Sequence, residues 1–201
     1  MLHVKLKSFV VIIAFAAAIA ACGDDPASVD VDGPGESELI TSVTLTLEEL
    51  DDQGNATGTT VSAVWDDSDG PGGSAPTIET LQLKQGTTYQ GSIELLDTTK
   101  DPVENITEEV EEEADEHQFF YIFNVDGNES DTIQVTRNDT DSQGLALGLN
   151  YTLSVSNDAP EGGLRVILLH FEDAEKESND FPAEQTGIDT DVDIEFPVQF
   201  E

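Results

Sequence analysis

Val192-Asp193-Ile194-Glu195-Phe196-Pro197-Val198-Gln199-Phe200 puts an apolar side chain at every second position, with acids, glutamine or proline between them. A period of two belongs to a strand with one face buried, since a helix repeats every 3.6 residues. Proline has no N–H to give to a ladder, so this strand is expected at a sheet edge. The same period recurs in Leu147, Leu149, Tyr151, Leu153 and Val155, and in Val43, Leu45 and Leu47. Residues 59–65, 77–83, 88–96 and 132–136 also read as strands, with Gly86 marking a tight hairpin between the third and fourth.

Two further segments, HQFFYIF at 117–123 and LRVILLHF at 164–171, are apolar almost throughout. Such runs suit strands covered on both faces, which places 164–171 centrally. About nine strands, separated by Gly, Asp, Asn and Pro turns, predict a mainly β protein. The expected architecture is an antiparallel, immunoglobulin-like β-sandwich. One short amphipathic helix is expected between the fourth and fifth strands. Asp101-Pro102-Val103-Glu104 offers an N-cap and a first-turn proline, and Asn105-Ile106-Thr107-Glu108 is a second start. Val103, Ile106, Val110, Ala114 and His117 recur at helical spacing on the inward face. Seven acids between Glu108 and Glu116, with no base among them, make up the other.

The chain has 201 residues, 43 of them acidic and seven basic, for a net charge of −36. That balance excludes nucleic acid and anionic head groups as partners. Acidic chains are often disordered, but here the apolar residues are patterned rather than sparse. Residues 1–21 read as a secretory leader: Lys5 and Lys7 come first, then an apolar stretch too short to remain in a bilayer. Residues 22–38 lack periodicity and read as a flexible acidic tether, and 39–201 form the sandwich domain.

The end of the leader, Ile19-Ala20-Ala21-Cys22, resembles the lipobox of bacterial lipoproteins, in which the cysteine is acylated and becomes the new N-terminus. Cys22 is the only cysteine, and acylation accounts for an otherwise unpaired thiol in an exported chain. One acyl chain binds membranes marginally. Lipoproteins carry more than one, so the resemblance implies stable anchoring in the lipid bilayer. Asp24-Asp25 behind the cysteine resembles the surface-export signal of Bacteroidota lipoproteins, which implies the outer membrane as the location, facing the periplasm or the cell surface. Asp67-Ser68-Asp69-Gly70, Gly86-Thr87-Thr88-Tyr89 and the stretch from Ile106 to Phe120 together resemble small uncharacterised Bacteroidota envelope lipoproteins. Some of these are described as type 1 periplasmic-binding-fold proteins. That architecture needs repeated βαβ units in two lobes, which one clear helix does not supply. The resemblance implies a location and a fold, and brings no reaction with it.

Catalytic patterns are weak. Gly72-Gly73-Ser74-Ala75-Pro76 begins like a nucleophile elbow but ends in proline. Glu113 and His117 stand four apart, and His170 and Glu172 share a strand face. This outlines a zinc site without an HExxH pair, so both histidines read as structural. The better metal candidate is calcium at Asp139, Asp141 and Gln143, where alternate oxygens precede Gly144 but the closing acid is missing. Asp30-x-Asp32-Gly33 is a poorer copy. Trp65 and Tyr89 are the aromatic candidates for lining a solute or glycan cleft.

The expectation from sequence is therefore a non-catalytic envelope lipoprotein that binds an unidentified envelope protein or glycan. A solute or glycan carrier is the alternative, and a hydrolase is the less favoured reading. The acidic surface carries its own prediction. The Debye length falls from about 10 Å at 0.1 M salt to about 3 Å at 1 M, which screens repulsion between exposed carboxylates. Melting temperature should rise with sodium or potassium chloride up to molar levels. Specific calcium binding would instead give a saturable rise at millimolar calcium, unmatched by magnesium and lost when Asp139 and Asp141 become Asn. Melting curves indifferent to both would mean that the surface is merely tolerated.

Overall fold

The computed structural model describes residues 38–171, 174–176 and 188–201. The leader, Cys22, the Asp30–Asp32 loop, Glu172 and nearly all of the tether lie outside the described residues. Among the described residues, no helix is long and apolar enough to cross a membrane.

The domain is mainly β, with two sheets packed face to face. In chain order the strands are β1 (Ser42–Leu50), β2 (Ala56–Asp66), β3 (Thr77–Ile78), β4 (Leu81–Leu83), β5 (Thr88–Asp97) and β6 (Glu104–Asn105). After helix α1 (Ile106–Glu112) come β7 (His117–Val125), β8 (Asn128–Glu129), β9 (Ile133–Arg137), β10 (Asn150–Val155), β11 (Gly162–His170) and β12 (Asp189–Phe200). One sheet runs β3-β2-β1-β5-β10-β9, with β6 also on β5, and the other runs β4-β12-β11-β7-β8. Val43, Leu45, Leu47, Ile93 and Leu153 of the first sheet share one buried cluster with Phe119, Leu164, Val166, Phe196 and Val198 of the second. The alternation in the sequence is this inner face. A second cluster, Phe120, Ile122, Ile167, Leu169 and Phe171, lies on the outer face of the second sheet. That accounts for the doubly apolar 117–123 and 164–171, and β11 is indeed central.

The structure corrects several expectations. Residues 77–83 do not form one strand: β3 pairs with β2 in one sheet, and β4 pairs with β12 in the other. Consequently Gly86, at φ +68, turns the chain between sheets rather than within a hairpin. With the two-residue strands β6 and β8, this split raises nine strands to twelve among the described residues. Pro197 does not lie on an edge strand, because β12 sits between β11 and β4. However, β4 covers only Val198–Phe200, in parallel, so its ladder stops where the missing N–H begins. That parallel pair is the exception in otherwise antiparallel sheets. The helix starts at the second of its two candidate signals, with Asn105 at the N-cap, and spans seven residues. Ile106 and Val110 are buried as expected, but Val103 precedes the helix and is exposed.

Sheet packing imposes a glycine at position 91. Gly91 of β5 pairs with Tyr151 of β10, and a Cβ at Gly91 would overlap the Tyr151 ring. That ring is fully buried and packs 4.4 Å from Tyr121 of the opposite sheet, so it has nowhere to retreat. Overpacking of this kind costs about 1–3 kcal/mol. Gly91→Ala should lower the denaturation midpoint correspondingly, and Gly91→Val more, as measured by chemical unfolding.

Candidate functional site

β7 and β11 pair in antiparallel register, with His117 directly opposite His170. On β7 the inward residues are His117, Phe119, Tyr121 and Phe123; on β11 they are Leu164, Val166, Leu168 and His170. The two apolar ladders therefore end in a pair of inward imidazoles. Both are completely buried, and the rings stack with centroids 4.4 Å apart and planes 22° from parallel.

Two carboxylates join them from distant parts of the chain. Glu38 lies just before β1, with its side chain 7% exposed, and reaches His117 Nε2 at 3.5 Å and His170 Nδ1 at 3.9 Å. Asp191 of β12 has a side chain with no exposure and an Oδ2 3.7 Å from His117 Nε2. Regular alternation would turn Asp191 outward, because its neighbour Val192 faces the core. The β11–β12 register slips here, from Leu168↔Val192 to Leu169↔Thr190, leaving Asp191 as the extra residue of a bulge. Bulges re-aim side chains in this way.

One atom of each of the four side chains lies within 4.8 Å of the others. His117 Nδ1 sits 3.2 Å from the Glu113 carbonyl. A carbonyl only accepts, so Nδ1 carries the proton and Nε2 faces the carboxylates. His117 Nε2, both nitrogens of His170 and Glu38 Oε2 are buried without a hydrogen-bond partner among the described residues. On its far side His170 Nε2 lies 3.6 Å from the exposed Glu116, where Glu113 completes a second acidic group. Burial pushes the His117 pKa down, but the Glu38 carboxylate, the Glu113 carbonyl and Asp191 together more than offset this and hold it above the ordinary value. Glu38 mirrors it: burial pushes its pKa up, and His117 brings it below the usual carboxylate value. Chemically, this is a desolvated set of two imidazoles and two carboxylates, with one donor atom from each gathered at one place.

The sites expected from sequence are arranged otherwise. Asp139 and Asp141 share the β9–β10 connection, but donors occupy their oxygens. Asp139 accepts from the amides of Gly148 at 2.6 Å and Asn150 at 2.9 Å. Asp141 Oδ1 accepts from the amides of Gln143 and Leu145, and Oδ2 pairs with the buried Lys176 ammonium at 2.8 Å. Gln143 contributes only its backbone, and its side chain is exposed. An ammonium thus stands where a cation's charge would go, and the loop reads as a structural turn. Tyr89 is a core residue whose hydroxyl accepts from the Lys84 amide at 2.9 Å. Trp65 is half-buried against the same core. Through β1 they align with Glu49 and Val43 respectively, six residues or about 20 Å apart. Neither lines the groove of about 590 Å³ between β7 and β9. Ser74 donates its amide to Asp69 within a turn. No family model, no curated protein and no solved structure matches the chain.

The Asp141–Lys176 pair generates a prediction. Lys176 also donates to the Ala114 carbonyl at 2.7 Å, so one buried ammonium ties the loop to the segment behind α1. Removing one partner of a buried pair costs about 3–5 kcal/mol. Lys176→Met should destabilise by that order. Burial pushes the Asp141 pKa up, but Lys176 and the two amides outweigh it and hold the value below the ordinary 3.8. A depressed carboxylate contributes stability that is present above its unfolded pKa and lost as pH falls through the folded one. Asp141→Asn should therefore lower stability at neutral pH and flatten its decline below about pH 4, as followed by unfolding across pH.

Proposed function

We propose that the chain is a non-catalytic binding or interaction module, held at the cell envelope by a lipid on Cys22. The observation that carries this reading is the pairing of a lipobox-like ending with a solitary cysteine, placed 16 residues before Glu38. Glu38 leads into β1 almost at once, and on this reading residues 22–37 are the spacer between bilayer and domain. A flexible spacer of that length reaches roughly 20–25 Å on average. The interior of the domain supports the non-catalytic part. The inner faces fill one continuous apolar cluster, and one of the two aromatic candidates for a glycan cleft, Tyr89, is used inside it.

Binding by such a module uses its surface: sheet edges, the β1–β2 hairpin and the acidic helix. β2 is exposed along Ala56–Thr60, where its side chains are small and polar. The acids of α1 favour a basic partner over an anionic one. The anchoring half is tested by Cys22→Ala. The parent should partition into detergent and sediment with membranes, and the variant should appear in the soluble fraction. Identical fractionation of the two would refute the lipid anchor.

A further inference from the structure

We propose that Glu38, His117, His170 and Asp191 form a closed, four-ligand site for a divalent transition-metal ion, zinc by donor chemistry, which fastens the entry of the domain to its second sheet.

Burial comes first. An unsatisfied polar group inside a protein is costly, and this end of the sandwich collects several. His117 Nε2 and both His170 nitrogens are without hydrogen-bond partners among the described residues, on rings with no solvent exposure. A core that only needed filling would place leucine or phenylalanine at these ladder ends, as it does at Leu168 and Phe119. The backbone also bulges at Asp191, which turns a carboxylate inward next to the imidazoles.

Spacing comes second. The nearest donor atoms stand 3.5, 3.7 and 3.9 Å apart, too long for good hydrogen bonds. A tetrahedral zinc ion with bonds of about 2.0–2.2 Å separates its ligands by roughly 3.3–3.6 Å. Those three separations lie within or just above that range. One donor atom from each of the four side chains lies within 4.8 Å of the others, so small side-chain shifts bring them to ligating distance. The two imidazole rings lie with their centroids 4.4 Å apart and their planes 22° from parallel.

Charge and donor type come third. Two neutral imidazoles and two carboxylates sum to minus two, which a divalent ion neutralises. Nitrogen donors select the zinc group over calcium and magnesium, which prefer oxygen throughout. The Glu113 carbonyl accepting from His117 Nδ1 is the outer contact that fixes a ligating imidazole. Four protein ligands leave no open position, which is the signature of a structural rather than a catalytic ion. The ion would join residues 38, 117, 170 and 191, and so β1's entry, β7, β11 and β12 at one end of the sandwich.

The test uses the full chain, stripped with chelator and shown by circular dichroism to keep its strand signal. Zinc should bind with one-to-one stoichiometry by elemental analysis and raise the melting temperature saturably, while calcium and magnesium at equal concentration should not. Cobalt should give intense visible bands of tetrahedral coordination without a thiolate charge-transfer band, and Cys22→Ala should take up metal like the parent. Glu38→Gln, which lies outside the strands, should weaken zinc binding more than tenfold while leaving the folded signal in place. His170→Asn should do the same if it folds, and Glu38→Gln decides the matter if it does not. A folded, stripped protein that takes up neither zinc nor cobalt at micromolar concentration would overturn the proposal. Six-coordinate cobalt, or equal affinity in the Glu38→Gln variant, would do so as well, leaving a buried cluster that exchanges only protons.

Discussion

The ladder between β7 and β11 is the constraint on which the rest depends. Eight residue pairs, from Gly163↔Asn124 to His170↔His117, fix one register in the middle of the second sheet. With a period of two, a slip by one residue would expose Phe119, Val166 and Leu168 and bury their outward neighbours instead. Both faces of this ladder carry apolar clusters, so either slip is costly. The same register brings the two histidines together. Glu38, from the entry to β1, and Asp191, turned inward by the bulge, join them there.

The strands were legible because alternation is a local signal, and the central place of 164–171 followed from its two apolar faces. What escaped was whatever depends on pairing. Residues 77–83 alternate like a single strand, yet the chain crosses between sheets at Glu79 and Thr80, and no local pattern marks the step. Pro197 signalled a missing donor correctly, but the response is a partner that starts one residue later. The Asp139–Asp141 loop looked like a cation site because turns and calcium loops share acids and glycine. Lys176, which takes the charge, lies 35 residues beyond Asp141.

The histidine cluster was half visible. One histidine opens a doubly apolar strand and the other closes one; antiparallel pairing of those strands makes them neighbours. Glu38 was assigned to the tether, and Asp191 stood among the alternating acids Asp189, Asp191 and Asp193. Only the register slip distinguishes Asp191 from Asp193, which faces solvent and pairs with Arg165 at 2.6 Å. A carboxylate turned by a bulge leaves no trace in residue periodicity.

The crossing of the chain between sheets also governs how the domain assembles. β4 pairs with β12 across the whole intervening chain, and Gln82 and Gln199 bond at a separation of 117 residues. Contacts this distant close large loops before they return any stabilisation, and chains dominated by them fold slowly. The first sheet, from β1 to β10, has its partners by Val155, whereas the second waits for β12. During that interval β11 presents an apolar, unpaired flank, the kind of edge that recruits other chains. The chain's net charge of −36 opposes that association, because like-charged copies repel one another.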